Sequence, residues 1–181
     1  MNKIKKILLL VVIVLAFFGC ATSNNIAQEE SEEQDGRLVE RSGGFSIQIP
    51  EGWEAREFPG LLYRILIGTP INDFAQNIVF VTEAFTGTLS EYVDANIIEL
   101  QNLFQGNIVI VAREKFISAN NVIGEKLVSN SFQHGRHILQ IFYFFPGNGI
   151  MMTFSATALP EDEQVASILF DRTAATFAWI P

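Results

Sequence analysis

A chain of 181 residues, 49% hydrophobic and carrying 16 phenylalanines, can bury one sizeable core and is too short for several. Its formal net charge is −8, or about −11 once Lys3, Lys5 and Lys6 are set aside, which excludes a basic footprint for nucleic acid and repels anionic headgroups. A single cysteine, Cys20, excludes a disulfide within the chain.

Met1 to Lys6 hold the three lysines, and Ile7 to Phe18 are twelve apolar residues in a row, followed by Gly19 and Cys20. A charged start, a short apolar run and a small residue before a cut describe a secretory leader. As a helix the run spans about 18 Å, short of the roughly 30 Å hydrocarbon core, so a membrane-spanning anchor is the weaker reading. Leu15-Ala16-Phe17-Phe18-Gly19-Cys20 resembles a lipobox, the site where a lipoprotein signal peptidase cuts and diacylglycerol is joined to the thiol. Phe17 and Phe18 depart from the usual leucine and small residue, a loosening that resembles spirochaete lipoboxes. The expectation is an exported bacterial envelope lipoprotein, cut before Cys20 and held to a membrane by lipid on that residue.

Ala21 to Gly36 contain Glu29, Glu30, Glu32, Glu33 and Asp35, no basic residue and little apolar bulk. Such a stretch cannot offset its ordering entropy by burial, so it reads as a solvated tether. Residues 1–19 are therefore expected to be leader, 20–36 lipidated cysteine and tether, and 37–181 one domain.

Phe45, Ile47 and Ile49 alternate with Ser46 and Gln48, a half-buried strand ending at the Pro50-Glu51-Gly52-Trp53 turn. Leu61 to Ile67 read as a second strand, and Ile78 to Val81 as a third with both faces covered. Thr88 and Glu91 have capping-box spacing, and Val93, Ile97, Leu100 and Phe104 form one apolar stripe before Gly106, which predicts a helix. Four strand signals follow. They are Ile108 to Val111 with Phe116 and Ile117 beyond, Val122 to Gln133, Ile138 to Phe145, and Ile150 to Ala158. His134-Gly135-Arg136 and Pro146-Gly147-Asn148-Gly149 form turns between the last of them, which argues an antiparallel meander. A final helix is expected over Glu161 to Trp179, its first acids complementing the dipole. The pattern reads as α+β, an antiparallel β-sheet with one helix packed on each face.

Gly44-Phe45-Ser46-Ile47-Gln48-Ile49-Pro50-Glu51-Gly52-Trp53 resembles the F-x-I-x-I-P-x-G-W opening of the PsbP/Mog1/DcrB-like superfamily. The order of elements is similar, as is the Ile150 to Ala156 strand leading into a closing helix, so the resemblance covers about residues 37 to 181. It implies an α/β/α sandwich and a bias towards binding. Members are mostly non-enzymatic, with PsbP an extrinsic photosystem subunit and Mog1 a binder of a small GTPase. No ligand or partner residue of that superfamily transfers position by position.

Candidate chemistry is sparse. His134 and His137 are the only histidines, and a zinc site needs more ligands than these unless Glu125 is brought near; a polar hairpin tip is the plainer reading. No Gly-x-Ser-x-Gly elbow, phosphate-cradling glycine loop or metal set is present, so no cofactor is expected and no catalytic residue is assigned. Glu51, Glu54 and Glu57 read as a solvated loop rather than a glycosidase pair. In Phe142-Tyr143-Phe144-Phe145, alternation puts Phe142 and Phe144 on one face and Tyr143 and Phe145 on the other. The plain reading is a doubly covered central strand. The functional one is an aromatic surface for ligand or partner, formed by Tyr143 with Trp53, Phe58 and Tyr63 around the Trp53 to Leu62 loop. The expected function is a non-enzymatic, membrane-anchored binding or accessory domain that meets an envelope protein. The alternative is a carrier or sensor of a small apolar ligand, with a pocket between sheet and helix. An enzyme is the third reading.

Overall fold

The computed structural model describes residues 31–71 and 73–180, so the leader and Cys20 lie outside the described residues. Two antiparallel sheets are built from eleven strands. The small one has the order β1-β2-β3-β11, from Ser31–Gln34, Arg37–Glu40, Phe45–Gln48 and Ala178–Trp179. The large one has the order β4-β5-β6-β10-β9-β8-β7. Its strands are Glu54–Arg56, Ile65–Ile67, Asn77–Ala84, Ile108–Ile117 (β7), Ile123–Gln133 (β8), Arg136–Pro146 (β9) and Ile150–Ala158 (β10). The helices are α1, Leu89–Leu103, and α2, Glu163–Ala175.

β9 is the axis of the molecule. Every residue from Ile138 to Phe145 is buried, which requires cover on both sheet faces and explains an apolar run without alternation. Leu139, Ile141, Tyr143 and Phe145 join Met152, Phe154, Ala156 and Ala158 of β10 under α2, with Phe45 and Ile47 of the small sheet in the same cluster. Phe142 and Phe144 face the opposite way, against Tyr92, Val93 and Leu100 of α1. The layers are thus α1, the large sheet, then α2 beside the small sheet, an α+β sandwich with one helix on each face.

α1 begins where the sequence requires. The Thr88 hydroxyl accepts the Glu91 N–H at 3.2 Å, and the Glu91 carboxylate accepts the Thr88 N–H at 2.7 Å, so two orphan donors are satisfied reciprocally. It ends at Leu103, ahead of Gly106, whose φ of +83° suits a residue without a side chain. His134 and Gly135, at φ +50° and +81°, make the left-handed hairpin tip between β8 and β9.

Four expectations are corrected. The stretch taken as a tether, Ala21 to Gly36, contains β1, Ser31–Gln34, which pairs antiparallel with β2. The second strand is confined to Ile65–Ile67, because the Leu61 N–H turns back to the Phe58 carbonyl and Tyr63 swings into the core. The short strand β4 instead lies inside the stretch read as a loop. Ile108 to Ile117 are one strand, with a bulge between Ile110 and Ala112 and the charged Arg113, Glu114 and Lys115 paired regularly beyond it. Finally, the closing helix stops at Ala175. The Thr176 hydroxyl donates to the Thr173 carbonyl and accepts the Gln48 N–H, while Arg37 donates to the Thr176 carbonyl. Those partners hold the chain out of the helix, so Phe177 enters the core and Ala178–Trp179 pairs with β3.

Candidate functional site

The four side chains singled out as an aromatic surface are split by the fold. Tyr143 is 1% exposed, and its hydroxyl donates to Asp171 Oδ1 at 2.6 Å. Burial foremost, with the Asp171 carboxylate beside it, drives the phenol well above its ordinary pKa. Lys126 Nζ lies 2.8 Å from Asp171 and 3.3 Å from Glu114, so Lys126, Asp171, Glu114 and Tyr143 form one polar knot between β8, β9, β7 and α2. Tyr63 is 5% exposed and shares a 2.7 Å hydrogen bond with Thr82 Oγ1. Burial raises its pKa too, opposed by the Thr82 bond. Both tyrosines are core residues, which corrects their assignment to a ligand or partner surface.

Trp53 and Phe58 keep partial exposure but do not meet. Trp53 sets its edge against Phe170 of α2 at 6.2 Å between ring centroids. Phe58 packs with Ile65, Ile67, Ala75 and Val79 in a different cluster. Trp53 borders a cleft of about 280 Å³ with Gly52, Glu54, Arg56, Gly68 and Pro70 on its walls. Glu54 and Arg56 form an ion pair at its rim. A Cβ at Gly68 would come within 2.9 Å of the indole, which is why a glycine stands there. Leu62, in the loop between β4 and β5, is 76% exposed.

The remaining titratable groups are tied into structure. Glu125 is held by Arg113, which also bonds Asp94 and Ser90, so Glu125 is not free to complete a histidine site. His137 lies against the Phe132 ring, 5.0 Å between centroids. Among the described residues no group of three or more His, Cys, Asp or Glu side chains could hold a metal ion. Tyr92 donates to Glu83 at 2.5 Å, and burial followed by that carboxylate raises its pKa.

Sequence reasoning missed one surface. Val109, Val111, Phe132 and Ile168 are large apolar side chains exposed by about half or more. The signal present is the apolar run Ile108 to Val111, of which Ile108 and Ile110 pack toward α1 while Val109 and Val111 stay exposed, a split that nothing local reveals.

No family model matches the sequence, and no curated protein matches it. Solved structures do. The solution structure of cyanobacterial PsbP from Synechocystis superposes with a TM-score of 0.60 at 14% identity, covering 88% of this chain and 98% of that one. LpqN, described as involved in cell envelope biogenesis of Mycobacterium tuberculosis, gives 0.60 at 14% identity over 76% of this chain and 83% of its own. The Ran-binding protein Mog1p of Saccharomyces cerevisiae gives 0.57 at 10% identity over 82% and 97%. The fold is like that of PsbP and Mog1p.

The opening segment Phe45 to Trp53 has a physical reading in this fold. Phe45 and Ile47 enter the core, Gly52 at φ +77° makes the turn, and Trp53 caps α2 through Phe170. No described helix is long and apolar enough to cross a membrane.

Proposed function

We propose that this protein is an exported, lipid-anchored accessory domain of the bacterial envelope that works by binding another protein. The observation that carries the reading is the contrast between a closed aromatic core and apolar side chains left outside. Phe177 stacks on Phe145 at 4.6 Å and meets Phe154 at 5.2 Å, so the space between sheet and α2 is filled by rings. Polar atoms that look reactive are consumed in structural bonds, as with Tyr143, Tyr92 and Lys126. Leu62 and Phe132, by contrast, expose apolar area that suits a protein contact. The cleft beside Trp53, about 280 Å³, falls just below the roughly 300–1,000 Å³ typical of small-molecule sites, so that aromatic cleft gives less support to a carrier. The involvement of LpqN in envelope biogenesis and the Ran-binding of Mog1p agree in kind with this reading.

The test is crosslinking in intact cells from a photoreactive residue at position 62, followed by identification of the adducts. A defined protein adduct is expected. Adducts confined to lipid or small molecules would count against a protein-binding role.

A further inference from the structure

The exposed face of β7 and β8 on the α2 side is a shelf of defined shape and charge. Cross-strand partners share a face. Val109 pairs with Asn130, Ala112 with Val128 and Glu114 with Lys126. Their partners on β9 are Leu139, Ile141 and Tyr143, all in the core beneath α2. Phe132, opposite His137, continues the same row. α2 packs chiefly on β9, β10 and β3 and reaches β8 through the Asp171–Lys126 bridge, while Phe116 and Val128 lie against the core and Val109 and Phe132 stand clear of it. Val109 is 63% exposed and Phe132 51%; Ile168, one helical turn before Asp171 on α2, is 48% exposed.

Strands lie about 4.8 Å apart and helices pack at about 8–10 Å, so the two outer strands beside α2 offer the width of one more helix laid over the Lys126 bridge and the exposed Val109 and Phe132. From Lys126 to Phe132 the row runs about 20 Å, the length of about thirteen helical residues. Acids stand at both ends. Glu114 and Asp171 close one end and already neutralise Lys126, while Glu161 and Glu163 lie where α2 begins, beside the start of β9. Arg172 on α2 and the exposed Arg136 at the start of β9 are the opposing charges. Strand addition to β7 is disfavoured by its bulge and by the Arg113, Glu114 and Lys115 charges on the edge. A second copy of a chain at net charge −8 would meet like charge.

We infer that this shelf receives an amphipathic helix of a partner protein, three to four turns long, with an apolar stripe flanked at its ends by Lys or Arg. The inference rests on the reading of the protein as a protein-binding domain and names the chemistry of one partner. The Asn130 Oδ1 in the floor has no hydrogen-bond partner, and a donor on the incoming helix satisfies it when the amide turns outward.

The experiment is selection of helical peptides from a displayed random library on the full chain held in phosphatidylcholine nanodiscs, with empty discs as the counter-selection. Enriched peptides should carry apolar residues at i, i+3, i+4 and i+7 with basic residues at the ends. Phe132→Asp and, separately, Val109→Asp should weaken them at least tenfold, as should replacing the peptide's Lys and Arg by Glu. Trp53→Phe should leave binding unchanged. Both shelf positions are exposed, so the variants should melt within a few degrees of the parent; if either unfolds, Ile168→Asp replaces it. Enrichment of nothing, of acidic peptides, or of peptides indifferent to the shelf variants overturns the inference. So does concentration-dependent self-association removed by Phe132→Asp, because the occupant would then be a second copy. A protein crosslinked in cells from position 62 would survive any of these failures.

Discussion

The Tyr143 hydroxyl and Asp171 Oδ1, 2.6 Å apart, join the central strand of the large sheet to the helix that covers it. The same carboxylate holds Lys126, so one surface-reaching acid satisfies two groups that enter the sheet. Asp171→Ala should therefore cost about 2–3 kcal/mol, discounted from the cost of breaking a fully buried pair because Asp171 is part-exposed. Tyr143→Phe should cost less, about 1–2 kcal/mol. Urea unfolding curves for both variants measure the order.

All three tyrosines of the chain, Tyr63, Tyr92 and Tyr143, are held above their ordinary pKa in the folded state, burial being the first cause each time. A group whose folded pKa is raised contributes stability that is fully present below its unfolded pKa, near 10, and is lost as pH climbs beyond that. Stability should fall above about pH 10 by up to about 1.4 kcal/mol per pH unit for each tyrosine. Alkaline absorbance titration should show little tyrosinate near pH 10 in the folded protein, then a joint rise on unfolding. A smooth titration of all three near pH 10 with the fold intact would contradict their placement.

Gly68→Ala puts a Cβ into the Trp53 ring. The indole must leave its seat on Phe170 or the backbone must shift, at a cost of about 1–3 kcal/mol. In a Trp179→Phe background, the emission of Trp53 should move to longer wavelength. Unchanged emission and melting would show that the contact is slack.

Removing the lipid acceptor tests the anchor. Cys20→Ser should shift the protein from the membrane fraction to the soluble fraction and abolish acyl labelling. Continued retention through the uncut apolar segment would contradict the reading of its length.

Legibility followed the range of the interactions. The capping box at Thr88 and Glu91 spans three residues, and the apolar run of β9 needs only burial on both faces, so both are visible in the sequence. The end of α2 is not, because it is set by Arg37 and Gln48 reaching Thr176 across 139 and 128 positions. β1 escaped notice because a strand held by backbone bonds at a sheet edge needs no apolar side chains. The role of Tyr143 was hidden for the same reason of distance, since Asp171 lies 28 residues away. The shelf is the reverse case. Val109 and Val111 sit in an apolar run yet are exposed, because α1 takes Ile108 and Ile110 of that strand and α2 packs chiefly on β9, β10 and β3.

The most direct test of the whole account is native mass spectrometry of the protein extracted gently from its own membranes. The account predicts a mature chain starting at an acylated Cys20 and carrying a protein partner. A chain that instead carries a stoichiometric small molecule, with no protein partner, would contradict it.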